Sequence, residues 1–340
     1  MIDTEKIARA LSRAGQVRIA VFGDFCLDKY LYIDPRRDEI SVETGLTAYM
    51  VHEKKYYAGA AGTIVNNLRS LEAWVYCIGL RGDDGEGWEL ENCLCAIGAN
   101  TDGMVKSNQI CTSTYTKPMR AQPDGSYREL NRLDFRNFSE APRSLQKQLL
   151  TKMDAILHQV DAVILLDQFV QRNLGAITDH VREELCRMAQ NHPEVIFYAD
   201  SRGFLQEFRN MIVKCNNFEL LPDGDPEDTE ALCRRGRELS RRQAFPTFVT
   251  RGSRGMLVLT EGEAVPVPAF RVEGPIDIVG AGDASTAGIV LGLALGLTPE
   301  EAALLGCAVS SITIQQLGTT GTATRAQVAA RLAEYAGGTV

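Results

Sequence analysis

The stretch Asp277-Ile278-Val279-Gly280-Ala281-Gly282-Asp283-Ala284-Ser285 is a turn of small residues that opens directly into an apolar run. Small residues let backbone N–H groups converge at the start of a helix, where unpaired amides and the positive dipole end favour an anion. A carboxylate there repels phosphate, so Asp283 makes chemical sense as a base that takes a hydroxyl proton during phosphoryl transfer. A capping aspartate on a glycine-rich turn is the plain structural alternative. The apolar run, Ala284 to Leu297, is broken by Gly288, Gly292 and Gly296. It is shorter than the roughly 20 residues a membrane span needs and reads as a buried helix.

Working outward, short continuous apolar runs recur at Arg18–Phe22, Trp74–Ile78, Ala162–Leu166, Val195–Ala199, Ile212–Lys214 and Thr247–Thr250. Continuous rather than alternating hydrophobicity suits strands covered on both faces. Segments with helical spacing lie between them, around 60–72, 84–97, 142–159, 171–190, 226–242 and 282–296. This alternation predicts an α/β fold: a doubly wound, mostly parallel sheet with helices on both faces. Two stretches, 29–57 and about 109–135, are instead rich in Tyr, Thr, Val and charged residues with near-alternating polarity, and predict antiparallel strands of a small β lid. Pro123-Asp124-Gly125-Ser126 is turn chemistry within the second. The expectation for residues 1–340 is a single domain with a lid.

The 340 residues include 36 Lys plus Arg against 44 Asp plus Glu, a formal charge of -8, so the bulk field repels phosphate polymers and anionic lipid. Neither nucleic acid nor membrane is expected as a partner. Nine cysteines, odd in number and partly in apolar runs, fit a reducing cytoplasm, and the N-terminal stretch has no apolar segment of a signal peptide. Cys93 and Cys95 lack a second ligand pair at zinc spacing, and the four histidines show no metal or triad spacing.

With Asp277 ahead of it, GAGDAS is similar to the C-terminal signature of the ribokinase-like (PfkB) sugar kinases. Other segments resemble that family's elements in the same order: VFGDFCLD (21–28), AGAAGTIVNNL (58–68), CIGLRGDDGEG (77–87), NNFE (216–219) and VTRGSRGMLV (249–258). Six matches in one order are specific where any one is weak. GDFCLDKYLY, TYTKPMRAQPDGSYRELNRLDF and the final QLGTT look most like the heptose-7-phosphate kinase branch of ADP-heptose synthesis. Members of that branch often carry a second, nucleotidyltransferase domain, whose HxGH-type element this sequence lacks, so at most the kinase half is expected.

The resemblance implies an ATP-dependent kinase for a sugar or sugar phosphate, with D-glycero-D-manno-heptose 7-phosphate as the first acceptor. Asp283 would be the base, and amides of Gly280, Ala281 and Gly282 would stabilise the transferring group. Asn216 and Glu219 would hold Mg²⁺ largely through water; Thr250, Gly252, Gly255 and Gly318 would meet the nucleotide. On the acceptor side the resemblance implies Asp28 with Gly59, Ala60 and Asn67, and the lid cations Lys117, Arg120 and Arg132 suit a substrate phosphate. A monovalent cation such as K⁺ is implied near Asp277, Val279 and Gly318. The family's first-signature Asn is replaced by Thr63 or Ile64, the aromatic after the second signature by Ser285, and a helix Asn near the adenine pocket by Cys307. The lid turn near Pro123–Tyr127 is longer than in heptose kinases, which keeps a fructose- or ribose-like sugar or a nucleoside open as acceptor.

Two other classes compete. A dinucleotide-dependent oxidoreductase is argued against because the third glycine of its fingerprint falls at Ser285 and no following βαβ unit remains. A non-catalytic sugar-phosphate sensor of the same fold is argued against by retention of Asp283 with its whole turn. Exposed lid edges with Tyr30, Tyr32, Tyr56 and Tyr57 suggest a homodimer through the lid.

Overall fold

A computed structural model describes residues 2–336. The main sheet has nine strands in the spatial order Ala264–Val267, Met256–Leu259, Thr247–Thr250, Ile212–Asn216, Ile196–Ser201, Ala162–Asp167, Arg18–Gly23, Trp74–Gly82 and Asn100–Ser107. From Thr247–Thr250 to Asn100–Ser107 all pairings are parallel; the first two strands named are antiparallel additions at the far edge. The six short apolar runs from Arg18–Phe22 to Thr247–Thr250 are strands of this sheet, and the longer run from Ala284 lies in a buried helix as expected. Alternation splits the strand residues: Ile19 and Val21 point into one core, Ala20 and Phe22 into the other. Helices Thr4–Leu11, Ala61–Ser70, Gly85–Ala96, Ala281–Ala294, Pro299–Thr313 and Arg325–Ala336 cover the first face; Arg143–Ile156, Asp179–Asn191 and Thr229–Gln243 cover the second.

The helix expected over 171–190 begins only at Asp179, where Thr178 caps it by accepting from the Val181 amide. The preceding segment is held as a loop by a distant carboxylate: Asp24 accepts from the amides of Gln168 (2.9 Å) and Ala176 (2.6 Å), and a Cβ on Gly175 would lie 2.6 Å from it. Local spacing could not foresee this, because the partner is more than a hundred residues away.

The lid is a five-stranded sheet of Phe25–Ile33, Val51–Ala60, Thr114–Ala121, Tyr127–Glu129 and Leu133–Phe135. Phe25–Ile33 pairs antiparallel with Val51–Ala60, but parallel with Thr114–Ala121. The antiparallel expectation fails for that pair because the chain passes through the main body between the two strands, as a parallel connection requires. The 123–126 turn forms as expected, with Gly125 at φ 83°. Only Asp24 separates the first main-sheet strand from the first lid strand.

At the lid's root Ala60 adopts φ 51° and ψ −118°, a conformation suited to glycine, and serves as N-cap of Ala61–Ser70. Such strain costs on the order of 1–3 kcal/mol, partly offset by the greater unfolded-state entropy of glycine. Ala60→Gly is therefore expected to stabilise the fold by about 1 kcal/mol in urea unfolding; a destabilised variant would show that the methyl group is needed for packing.

Candidate active site

The small-residue turn is built as its composition requires. Gly280 has φ 80°, and a Cβ there would lie 3.2 Å from the Thr63 methyl carbon and 3.4 Å from that of Thr320. Asp277 braces the turn: its carboxylate accepts from the Val279 amide (3.0 Å) and the Gly318 amide (3.1 Å), while its own amide donates to the Ile314 carbonyl (2.8 Å). The structure thus brings Asp277, Val279 and Gly318 together. The expectation that the Ala281 amide faces a ligand is corrected, because it donates to the Ile278 carbonyl at 3.1 Å. Among the described residues, the amides of Gly280, Gly282 and Asp283 have no protein acceptor and stand unpaired at the N-terminal end of helix Ala281–Ala294, where an anion is favoured.

Asp283 sits in the first turn of that helix and keeps part of its surface open. Burial raises its carboxyl to about 7 and nearby Asp200 adds to the rise, while Lys214 and Arg202 oppose it. Asp28, on the lid, adds a smaller like-charge contribution in the same direction as Asp200. A base poised near neutrality is matched to proton abstraction from a hydroxyl.

Sequence reasoning missed what lies underneath. Lys214 donates to Asp200 at 2.6 Å, Thr286 donates its hydroxyl to the same carboxylate oxygen at 3.0 Å, and Lys214 and Asp200 are both buried. The Lys214 Nζ would lie only 3.2 Å from a Cβ on Gly282. A buried ammonium therefore stands directly against the turn. Its signal is present in the sequence: Lys214 interrupts the apolar strand IVKCN, and Asp200 ends the apolar FYAD. A charged residue inside such a run calls for a partner.

Asn216 and Glu219 form a reciprocal capping box on Asn217–Leu220: the Asn216 side chain accepts from the Glu219 amide, and Glu219 accepts from the Asn216 amide, both at 2.8 Å. Burial pushes the Glu219 carboxyl up, opposed by the Asn216 amide. Among the described residues no three His, Cys, Asp or Glu side chains converge as a metal cage. One carboxylate and one amide fit a hydrated divalent cation that leans on nucleotide phosphates.

Thr250, Gly252 and Gly255 converge with Ala281, Gly282 and Ser285 on a cleft of about 650 Å³, whose apolar wall includes Phe270, Ile278 and Cys307. Gly255, at φ 77°, lies so close to the following strand that a Cβ would collide with the Val267 carbonyl oxygen. The smaller Ser285 and Cys307 thus do line the cleft.

On the lid, Asp28 pairs with Lys117 at 2.9 Å, and Lys117 also donates to the Tyr30 hydroxyl at 3.0 Å. Gly59 makes room for the pair, since a Cβ would collide with Asp28 Oδ2. Two expected acceptor contacts do not join them. Asn67 is wholly buried and donates to the carbonyls of Thr63 (3.0 Å) and Gly321 (3.4 Å), tying its helix to the C-terminal loop. Arg120 lies three residues beyond Lys117, so strand alternation puts it on the opposite face, where it pairs with Asp38 at 2.6 Å and covers Tyr49. Arg132 remains on the Asp28 face, paired with Asp134 at 2.6 Å.

Three carboxylates, two of them buried and Asp283 partly open, are raised together: Asp24 to about 6, Asp167 to about 7 and Asp283 to about 7, each chiefly by desolvation. A folded-state value above the unfolded one favours the protonated form, so this stability is full at low pH and is lost as pH rises through the folded values. The melting temperature is expected to rise as pH falls from about 8 to about 6; a fall over that window would contradict the burial of these groups.

Comparison with known proteins agrees with this geometry. The model of the pfkB family carbohydrate kinases matches residues 18–326. The bifunctional protein HldE of Citrifermentans bemidjiense is 26% identical over 333 residues, covering 96% of this chain and 66% of that protein. HldE of Helicobacter pylori strain G27 is 25% identical over 306 residues, covering 88% and 63%. The chain therefore spans about two thirds or less of the length of these curated relatives. Among solved structures, Arabidopsis thaliana ribokinase complexed with ribose and ATP superposes with a TM-score of 0.68 at 18% identity, covering 93% of this chain and 98% of that one. Escherichia coli phosphofructokinase-2 in complex with substrates and products superposes with a TM-score of 0.69 at 14% identity, covering 94% and 99%. The fold is ribokinase-like, the chain is a phosphotransferase acting on a sugar hydroxyl, and it belongs to the pfkB family of carbohydrate kinases.

Proposed function

We propose that this chain is a single kinase domain that transfers the γ-phosphoryl group of ATP to a sugar-phosphate hydroxyl, with D-glycero-D-manno-heptose 7-phosphate as its first acceptor. The observation that carries the reading is the meeting of three unpaired amides, Asp283 and the Lys214 ammonium at one helix end. The nucleotide base lies in the 650 Å³ cleft and its phosphates run over Thr250, Gly252 and Gly255 toward the turn. Asp28 accepts from acceptor hydroxyls, and Asp283 takes the proton of the attacking one. The amides of Gly280, Gly282 and Asp283 receive the charge that builds on the equatorial oxygens, with Lys214 behind them. Mg²⁺ bound to the phosphates would neutralise developing charge, with Asn216 and Glu219 as its outer hold.

The heptose acceptor is supported by the HldE similarity and by the lid sequence. Turnover is tested by ADP release with Mg-ATP across heptose 7-phosphate, fructose 6-phosphate, fructose, ribose and nucleosides. Activity on the heptose phosphate is expected. Preference for another acceptor would replace that substrate, and ligand binding without turnover would favour a sensor. Asp277 and Gly318 support a potassium site that orders the turn, and equal rates in potassium and tetramethylammonium buffers would remove it. The lid tyrosines do not carry a homodimer, since Tyr30 is buried and Tyr32, Tyr56 and Tyr57 are half-buried; exposed Ile40, Val42 and Leu46, in the connection between Phe25–Ile33 and Val51–Ala60, support one instead, which a monomeric mass in solution would exclude. The nine free cysteines fit a reducing, cytoplasmic setting.

A further inference from the structure

The two longest strands that root the lid meet the body at Asp24. Phe25–Ile33 begins on the next residue, and Val51–Ala60 ends beside it, with Ala60 paired to Phe25. The Asp24 carbonyl accepts from the Ala61 amide at 3.0 Å, and its own amide donates to the Leu166 carbonyl at 3.1 Å. The main chain of this one residue thus joins the lid root to helix Ala61–Ser70 and to strand Ala162–Asp167.

The side chain reaches a further segment. Its carboxylate accepts from the Gln168 amide at Oδ2 (2.9 Å) and from the Ala176 amide at Oδ1 (2.6 Å), and no lysine or arginine pairs with it among the described residues. It is buried, and burial lifts it to about 6. A buried carboxylate is unfavourable unless its oxygens are satisfied, and here two converging N–H donors require a group that only accepts. Phe169, on the same segment, stands against the lid a second time, since the Arg136 guanidinium just past lid strand Leu133–Phe135 lies 5.7 Å from its ring. The contacts therefore close a ring: from Asp24 through 168–176 to Arg136, and back across the lid sheet to Phe25. Asp24 and this segment stand at the carboxyl ends of neighbouring parallel strands, the rim where open α/β sheets take their ligands.

We propose that Asp24 is a positioning residue for acceptor binding: by locking 168–176 between the lid root and Arg136, it fixes the lid strand that carries Asp28. The inference rests on the kinase reading above and adds to it a residue that acts through the chain rather than on the substrate.

The test uses two variants of the whole chain. Asp24→Asn keeps the size of the side chain but turns an amino group toward one of the two backbone donors. Gly175→Ala leaves Asp24 in place and pushes the segment off it, since the new Cβ would lie 2.6 Å from Oδ1 and 2.7 Å from Oδ2. Melting curves give the temperature at which each variant is fully folded, and kinetics are read there. Asp24→Asn should raise the KM for heptose 7-phosphate by about 10–100-fold, the effect of a lost charged hydrogen bond, with the KM for ATP unchanged. Gly175→Ala should move the same constant in the same direction, and it alone decides if Asp24→Asn does not fold. Hydrogen exchange reads the coupling without turnover: amides of 168–178 and of Phe25–Ile33 should exchange faster in the variants, with those of Ile212–Asn216 unchanged. Faster exchange in 168–178 alone, or an unchanged acceptor KM in the folded variants, would overturn the proposal even where the kinase reading stands. Coupled exchange with no turnover on any sugar would uphold Asp24 as the anchor of the lid and overturn the kinase reading.

Discussion

Asp283→Asn is expected to lower kcat by about 10²–10⁴-fold, the range a positioned general base contributes, while Mg-ATP still binds. The reasoning is steric as well as electrostatic. An asparagine side chain keeps the size of the aspartate and the helix start, so the backbone amides of positions 280, 282 and 283 are undisturbed, and only proton acceptance is lost. Because burial and Asp200 raise Asp283 to about 7, the native chain should lose activity as pH falls below about 7, where the base becomes protonated. The variant's residual rate should lack that acidic limb. Native-like turnover in Asp283→Asn would remove the base assignment.

The second large effect is expected at Lys214. Lys214→Ala leaves Asp200 buried without its ammonium partner, which costs about 3–5 kcal/mol of stability where a buried pair is broken on one side. It also withdraws the cation behind Gly282, so kcat should fall by about 10²–10³-fold, as when one preorganised charge stabiliser is removed. The double variant Asp200→Asn with Lys214→Met separates the two consequences. It should recover most of the stability in urea unfolding, because no unpaired charge stays buried, and recover little of the turnover. Full kcat in a well-folded double variant would make the pair purely structural.

The parallel sheet was legible because its strands are continuous apolar runs, a signal of burial on both faces that needs no partner to be read. The turn at Gly280 was legible for a similar reason, since backbone convergence is a local property of small residues. What could not be read was set by partners far along the chain. The 171–178 stretch has helical spacing but is held as a loop by Asp24, and Asn67 resembles a polar contact but is consumed by the carbonyls of Thr63 and Gly321. The Ala281 amide was lost to a one-turn bond with Ile278, a detail of dihedral angles rather than composition. Arg120 illustrates a different limit. Once Thr114–Ala121 is known to be a strand, three residues from Lys117 means the opposite face, so parity separates Arg120 from the other lid cations. Lys214 and Asp200 were visible as charges within apolar runs, and only their mutual 2.6 Å contact shows that they answer one another.

Phosphoryl transfer to a sugar is tested most directly by the ³¹P spectrum of the chain incubated with Mg-ATP and heptose 7-phosphate. ADP together with a second phosphate monoester on the sugar is expected from the native chain and not from Asp283→Asn. Inorganic phosphate without a new sugar ester, or ATP left unchanged with this and every other sugar of the panel, would contradict it.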